Sequence, residues 1–454
     1  MTTVVAVPLA ICQAEEDLDQ YGGLKSVQFA ATGFFRVEKG ERWWFVTPKG
    51  NAFLSFGLNH TNPDYLSQSY NVDYWKKQFG AGDASDEVFR KGFVEKVMQD
   101  LEKFGMNTLG SHSPKDKFGT LEVPYVQSLF FARTAYWLVK SPNNFPDVFS
   151  EKFATWCERR AKLAVLPRKD DPYLMGYIYT NVPILTDLDA DAHGEVSWAR
   201  SQKDMPTWPR VLRNLGQGSS GKSVFVSMIR ERYNSIHEFN GAYGSKFSSF
   251  DELQRTENWS SFTKSRNIDD AEDNRAFLLK ILDQYYSVAN AAVRKFDPNH
   301  MIFGDTLNAN IGVPDDVLET IARHTDLIAY QFYGEYDDHV ELLDHWSQLT
   351  GKALFHADAG FTVQSEEMPA PMGAVTPNQK VRAERFHYFA AQAFARPDFV
   401  GWHWCGWVEM WKGWKPDRQH PGLQDPFGNY RHPMPETMNR FGTHIYDYGL
   451  GKNP

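Results

Sequence analysis

The sequence predicts an α/β fold, a (β/α)8 TIM barrel with a small N-terminal β cap and a long insertion after strand 4. Three observations predict it. Eight short apolar runs, near residues 53, 106, 128, 174, 301, 327, 353 and 399, alternate with helical stretches, which is the pattern of a closed parallel barrel. Several of these runs end in polar groups, where barrel strands present their functional residues. The alternation breaks once, over 186–268, in about eighty residues rich in Ser, Asp, Gly and aromatics, a length of irregular chain that is usually functional.

After a polar leader, residues 33–50 read as two strands around a Lys39-Gly40-Glu41 turn, with a second turn at Pro48-Lys49-Gly50. Residues 1–52 therefore form leader and cap, and 53–454 the barrel. Phe53 to His60 is a buried strand ending in Asn59 and His60. Ser85 to Phe104 is a helix, capped by Ser85 or Asp86, with Phe89, Phe93, Val97, Leu101 and Phe104 on one face and Gly105 as its stop. Met106 to His112 is the second strand, Ser128 to Arg133 the third, Val148 to Val165 a helix, and Leu174 to Asn181 the fourth strand. Helical pieces over 224–253 make the second half of the insertion lid-like. Alternation resumes with a helix over 269–296, a strand from Met301 to Asp305, a helix over 314–324, a strand from Leu327 to Tyr333 and a helix over 338–349. Thr376 and Pro377 give a cap and a first-turn proline to a helix running to Pro397. Phe399 to Trp404 is the last strand.

Within this frame the run Gly351 to Phe361 places one carboxylate, Asp358, at the end of a buried strand. A charge there is costly unless it is used, so Asp358 is either a catalytic group or the cap of a strand-to-loop turn.

With 42% hydrophobic and 23% charged residues the chain is an ordinary globular protein. The outlier is aromatic content, 15%, and aromatic rings that do not fill the core are platforms for the apolar faces of sugars. A net charge of -9 without a basic cluster argues against nucleic acid. Cys12, Cys157 and Cys405 form neither a disulfide framework nor a CxxC pattern, and read as buried free thiols. No compact spacing such as HExxH is present, so no catalytic metal and no cofactor are expected; Asp417 and Asp425 in a Gly/Pro loop are the place for a structural cation. The N-terminus lacks a basic n-region and a cleavage site, and no run approaches a membrane span, which predicts a cytoplasmic protein, or a secreted or periplasmic one if a leader is missing. Asn59-His60-Thr61 and Asn258-Trp259-Ser260 match the glycosylation sequon, which matters only in a eukaryotic secretory setting.

Gly216 to Ser223 satisfies the phosphate-binding G-x-x-x-x-G-K-[ST] pattern letter by letter. That loop works only after a buried parallel strand, and Trp208 to Leu215, with a Pro and two Arg, is not one. The stretch reads instead as flexible lid.

Taken in order, Gly33 to His60, Phe104 to Gly110 (FGMNTLG), Gly176 to Pro183 (GYIYTNVP) and Val400 to Tyr430 (VGWHWCGWVEMW followed by HPGLQDPFGNY) resemble the agarase-like glycoside hydrolases, and are similar to glycoside hydrolase family 50 and its relatives in the retaining (β/α)8 clan. The resemblance implies a Glu acid/base directly after an Asn at the end of the fourth strand, and a Glu nucleophile at the end of the seventh. Such chemistry needs two carboxyl groups roughly 5 Å apart. Here Asp358 takes the nucleophile position, and Asn181 is followed by Val182, which cannot transfer a proton. The proton donor is then sought in Asp187 or Glu335. The resemblance also implies that Asn181 recognises the hydroxyl beside the anomeric carbon and that Tyr333 supports Asp358. It places Trp402, His403 and Trp404 under the bound sugar; because side chains alternate along a strand, either the two Trp or the His faces the lumen. Asn59, His60 and His112 are strand-end sugar contacts or satisfied core residues, and Asp305 orders the site or caps its loop. The expected activity is hydrolysis of β-linked agar, porphyran or carrageenan-like galactan oligosaccharides, from chain ends because the insertion closes the pocket. The alternative is a catalytically impaired glycan-binding relative. The partner in either case is an oligosaccharide or polysaccharide.

Overall fold

The structure, a computed structural model, describes residues 17–119, 122–135, 137–139, 141–187, 205–263, 266–415 and 418–452. The first four strands, β1 (Leu24–Gln28), β2 (Arg36–Lys39), β3 (Trp43–Val46) and β4 (Asn51–Phe53), make an antiparallel sheet in the order β1-β4-β3-β2. One residue, Leu54, separates β4 from the first barrel strand, β5 (Ser55–Leu58).

The barrel continues through β6 (Thr108–Leu109), β7 (Tyr125–Ser128), β8 (Leu174–Asn181), β9 (Met301–Asn308), β10 (Ile328–Gln331) and β11 (Leu354–Ala359). A small parallel pair, β12 (Phe361–Val363) and β13 (Ala374–Thr376), intervenes before β14 (Phe399–Trp404), which pairs with β5 and closes the ring of eight parallel strands. A hairpin of β15 (Met410–Lys415) and β16 (Arg418–His420) follows.

All eight predicted strands are present. The third is displaced: β7 ends at Ser128, where the sequence reading begins it, because Leu129 and Phe131 of the apolar run are buried beyond the strand's end. Helices end where their punctuation says. Asp86 caps the helix Glu87–Phe104 by accepting from Phe89 N at 2.7 Å, and Gly105, at φ 65°, terminates it in the left-handed conformation that glycine adopts without penalty. The helix expected from Thr376 starts later, with Asn378 as cap to Gln379–Ala395, because Thr376 is used as the last residue of β13. Between β6 and β7 the described residues carry only a single 3-10 turn, Lys115–Lys117, in place of a barrel helix.

The cap closes the barrel from below. Phe45 of β3 stacks on Phe303 and meets Phe355 edge-on, with ring centroids 6.0 and 5.8 Å apart, within an apolar cluster that includes Phe53, Met175, Ile178 and Ala329. Arg42 ties the cap to the end of the chain by donating to the carbonyls of Phe394, Gly449 and Phe399.

The described half of the insertion corrects the expectation of a flexible lid. Helices Trp208–Arg213, Ser220–Arg232 and Ile236–Tyr243 pack on the long helix Ile268–Arg294, and Phe250–Arg255 packs on Ser220–Arg232. Buried Arg213 pairs with Asp270, Tyr233 and Tyr243 donate to Asp273, and Phe225, Phe239, Tyr243 and Phe247 surround Trp259. The P-loop-like stretch is preceded by a helix rather than a strand, and Lys222 is turned inward, donating to the carbonyls of Arg213 and Thr256. Its ammonium is thus spent on the fold. Residues 188–204 of the insertion lie outside the described residues, as do Cys12 and Asp417; Asp425 accepts from Phe427 N, Asn429 N and Asn429 Nδ2 and so orders its own loop.

Candidate active site at the barrel mouth

Asp358 stands near the end of β11 with 4% of its surface exposed, and both carboxylate oxygens are held from neighbouring strands. Asn59, one residue past β5, donates from Nδ2 to Oδ1 at 2.7 Å and to Ala357 O at 2.8 Å. Asn181, the last residue of β8, donates to Oδ2 at 3.2 Å and also lies 3.1 Å from His112 Nε2. His60 Nε2 approaches Oδ2 at 3.8 Å. Room for Asn59 beside the neighbouring strand depends on Gly110, since a Cβ there would collide with the Asn59 amide oxygen.

The backbone at the mouth is unusual as well. The residues just past β5, β6, β7 and β8, namely His60, His112, Phe130 and Val182, have φ of 60, 59, 53 and 51°. Non-glycine residues rarely adopt the left-handed region, least of all a β-branched one, and such strain of order 1–3 kcal/mol persists where the surrounding structure enforces it, typically at functional sites. Four consecutive strands bend in the same manner as they enter the mouth. At β8 the turn keeps Asn181 on Asp358 while Val182 donates from its backbone N to Thr306 O.

Three imidazoles crowd the same space. His60 stacks on His112 with centroids 4.5 Å apart and lies 4.2 Å from His420 of β16. Burial pushes each of the three down to about 3, so all are neutral at ordinary pH. Cys405, directly after β14, has its Sγ 3.7 Å from His420 Nε2; burial and then the Asp358 charge push its thiol up. Tyr65 lies against His60 and His420, and its phenol is raised by burial first and by the Cys405 and Asp358 charges next. Sequence reasoning missed Cys405, His420 and Tyr65, which belong to no local motif.

The other predicted residues sit as follows. Tyr333 reaches the Cys405 thiol, and Asn310 holds its backbone at both N and O. His403 faces the lumen, deep below the mouth, bonded to Ser55 Oγ at 2.8 Å and set edge-on to Phe355. Trp402 and Trp404 therefore face outward, buried against Phe386 and Phe389 of the helix Gln379–Ala395, which removes them as a sugar platform. Asp305 is also withdrawn from the mouth. It takes a 2.6 Å hydrogen bond from Tyr286 of the long helix, and burial pushes its carboxyl up to about 7.

Both candidate proton donors are engaged in ion pairs. Arg210 grips Asp187 through Nε at 2.9 Å and Nη2 at 2.7 Å, with Thr207 Oγ1 adding a third bond, and Glu335 pairs with Arg385 at 2.5 Å. Asn59 is buried, so a glycan on its sequon does not fit this fold, and no helix of the described residues is long and apolar enough to cross a membrane.

No family model matches the chain. Among curated proteins it is 22% identical over 501 residues to beta-agarase B of Vibrio sp. (strain JT0107), an alignment covering 94% of this chain and 50% of that protein. To beta-agarase A of the same strain it is 22% identical, over 81% of this chain and 41% of the relative. The chain thus spans about half the length of the curated relatives it matches. Among solved structures it superposes on an exo-beta-agarase with TM-score 0.78 and 16% identity, covering 96% of this chain and 69% of that one. The agarase AgWH50C gives TM-score 0.76 and 16% identity, with 96% and 68% covered. In sequence and in fold, the chain resembles the agarase-like glycoside hydrolases.

Proposed function

We propose that the chain is a glycoside hydrolase acting on β-linked, agar-type galactan oligosaccharides from their ends, with Asp358 as the nucleophile. The observation that carries this reading is Asp358 itself, a single carboxylate at the end of the seventh barrel strand, with each oxygen fixed by an amide from a different strand. A nucleophile needs an ionised oxygen held against the anomeric carbon, and fixed donors supply that placement without neutralising it. The Oδ1 atoms of Asn59 and Asn181 are buried without a hydrogen-bond partner. An orphaned buried acceptor costs about 1–3 kcal/mol, which a sugar hydroxyl would offset. This supports Asn181 as the group that reads the hydroxyl beside the reacting carbon.

Acid assistance is the weak half of the site. Val182 stands where a donor is expected, Asp187 and Glu335 are ion-paired, and the neutral imidazoles of His60, His112 and His420 are poor acids. Without a general acid the rate on an ordinary glycoside falls about 10²- to 10⁴-fold. These same observations favour a second reading, a glycan-binding protein with residual or no turnover.

Nitrophenyl β-galactoside, whose leaving group needs little acid help, separates the two when assayed beside agar, porphyran and carrageenan oligosaccharides. The hydrolase reading expects release of nitrophenol that drops by about 10⁴-fold in Asp358→Asn. Oligosaccharide binding with no turnover of any substrate would leave the binding reading standing alone, and predominance of internal cleavage products would remove the exo assignment.

A further inference from the structure

We infer that His60, Cys405 and His420 form a binding site for a thiophilic divalent transition metal of the zinc class. The inference goes beyond the hydrolytic reading and does not depend on it.

The three residues come from separate parts of the chain: the turn past β5, the residue after β14 and the end of β16. Their ligand atoms lie within 4.8 Å of one another, and all three side chains are buried. A tetrahedral zinc ion with Zn–N near 2.0 Å and Zn–S near 2.3 Å separates its nitrogen and sulfur ligands by roughly 3.6 Å. Cys405 Sγ and His420 Nε2 are 3.7 Å apart.

Support around the ligands is also of the right kind. A metal-bound imidazole usually gives its other N–H to a carbonyl or carboxylate, which fixes the tautomer and aims the free lone pair. His420 Nδ1 lies 2.9 Å from Pro421 O, so its proton is placed there and Nε2 is left as a bare acceptor facing Cys405. The ring is also fixed in position, because Gly406 leaves no side chain and a Cβ there would collide with His420. Around His60, Tyr65 Oη is 3.3 Å from Nδ1 and Asp358 Oδ2 is 3.8 Å from Nε2, so whichever nitrogen takes the metal, the other keeps a polar partner. An imidazole–imidazole–thiol set selects zinc, cobalt or copper over magnesium and calcium, which demand oxygen. Binding replaces the thiol proton by the metal, and that proton leaves to solvent.

A second set, His60, His112 and Asp358, shares His60 but offers a carboxylate in place of the thiol that a zinc-class ion prefers, and that carboxylate is bonded to both asparagines. The sulfur-containing set is therefore the assigned one.

Cobalt(II) titration of the chelator-stripped full chain tests the assignment, because a cobalt–thiolate bond gives a near-ultraviolet charge-transfer band that oxygen and nitrogen ligands do not. The expected result is one equivalent of cobalt per chain with that band, displaced by zinc, lost in Cys405→Ser and in His420→Gln, and kept in Cys157→Ser. Circular dichroism of each variant reports whether it folds. Should both ligand variants fail to fold, the wild-type titration still decides. No stoichiometric binding, binding without the thiolate band, or a band that persists in folded Cys405→Ser would each overturn the site.

Discussion

At the closed end of the barrel, Phe45 of the cap meets Phe303 and Phe355 in a cluster of apolar side chains. At the open end, the corresponding layer holds Asn59, His60, His112, Asn181 and Asp358, most of them equally shielded from water, on strands that turn through left-handed residues. Both layers are buried, yet only the lower one gains free energy from burial. Removing polar groups from water costs a few kcal/mol each unless bonds are remade, and at the mouth some are not: Asn59 Oδ1 and Asn181 Oδ1 have no hydrogen-bond partner. The contrast teaches that the mouth is maintained against its own energetics by the rest of the fold. Substitutions there should change rate, and substitutions below should change stability.

The largest expected effect tests the upper half. Val182→Glu restores a carboxyl directly after Asn181, in a position with no exposed surface, where burial favours the protonated form. Acid catalysis contributes about 10²- to 10⁴-fold, so kcat/KM on an unactivated galactoside should rise by that factor while nitrophenyl galactoside changes little. Folded Val182→Glu protein with no gain on either substrate would show that the strand-end geometry no longer serves acid transfer.

Next in size, Phe45→Ala tests the lower half. Truncating a fully buried Phe costs about 3–5 kcal/mol through lost transfer energy and the cavity left behind. Urea unfolding should show that loss with an unchanged m-value, while activity per folded molecule stays near that of wild type. A fall in activity without a fall in stability would mean that the two ends are coupled.

Much of this arrangement is legible in the sequence because the signals are local. Each barrel strand is a short apolar run, and the polar residue that ends it is the one that reaches the mouth, as with Asn59, Asn181 and Asp358. What is not legible depends on long-range pairing. Side-chain alternation along β14 leaves two choices, and only the register with β5, which sets His403 beside Gly57, turns the tryptophans outward. Asp187 and Glu335 look free until Arg210 and Arg385 are brought to them by helices far along the chain. Cys405 and His420 follow no motif spacing, because a loop and a hairpin bring them to His60 rather than a helix turn. The insertion looked irregular for a related reason: its short helices are stabilised by their contacts with Ile268–Arg294 more than by propensity.

Asp305 gives the smallest effect and the sharpest test of the cost of a buried polar group, since it lies on the strand between Phe303 of the lower plug and the mouth. Burial lifts its carboxyl from an ordinary value of 3.8 to about 7, against the lowering effect of bonds from Tyr286 and Thr180. The sign follows from proton counting. Between about pH 4 and pH 7 the folded chain keeps the proton that the unfolded chain has lost, so stability falls as pH rises through that window and stays low above it. The gap is worth at most roughly 4 kcal/mol. Asp305→Asn, which keeps an oxygen to accept from Tyr286, should therefore be more stable than wild type at pH 8, by up to that amount, and should differ little at pH 4. Urea midpoints measured across the range check this; a variant less stable than wild type at pH 8 would mean that the ionised carboxylate is paid for by partners stronger than the Tyr286 hydroxyl.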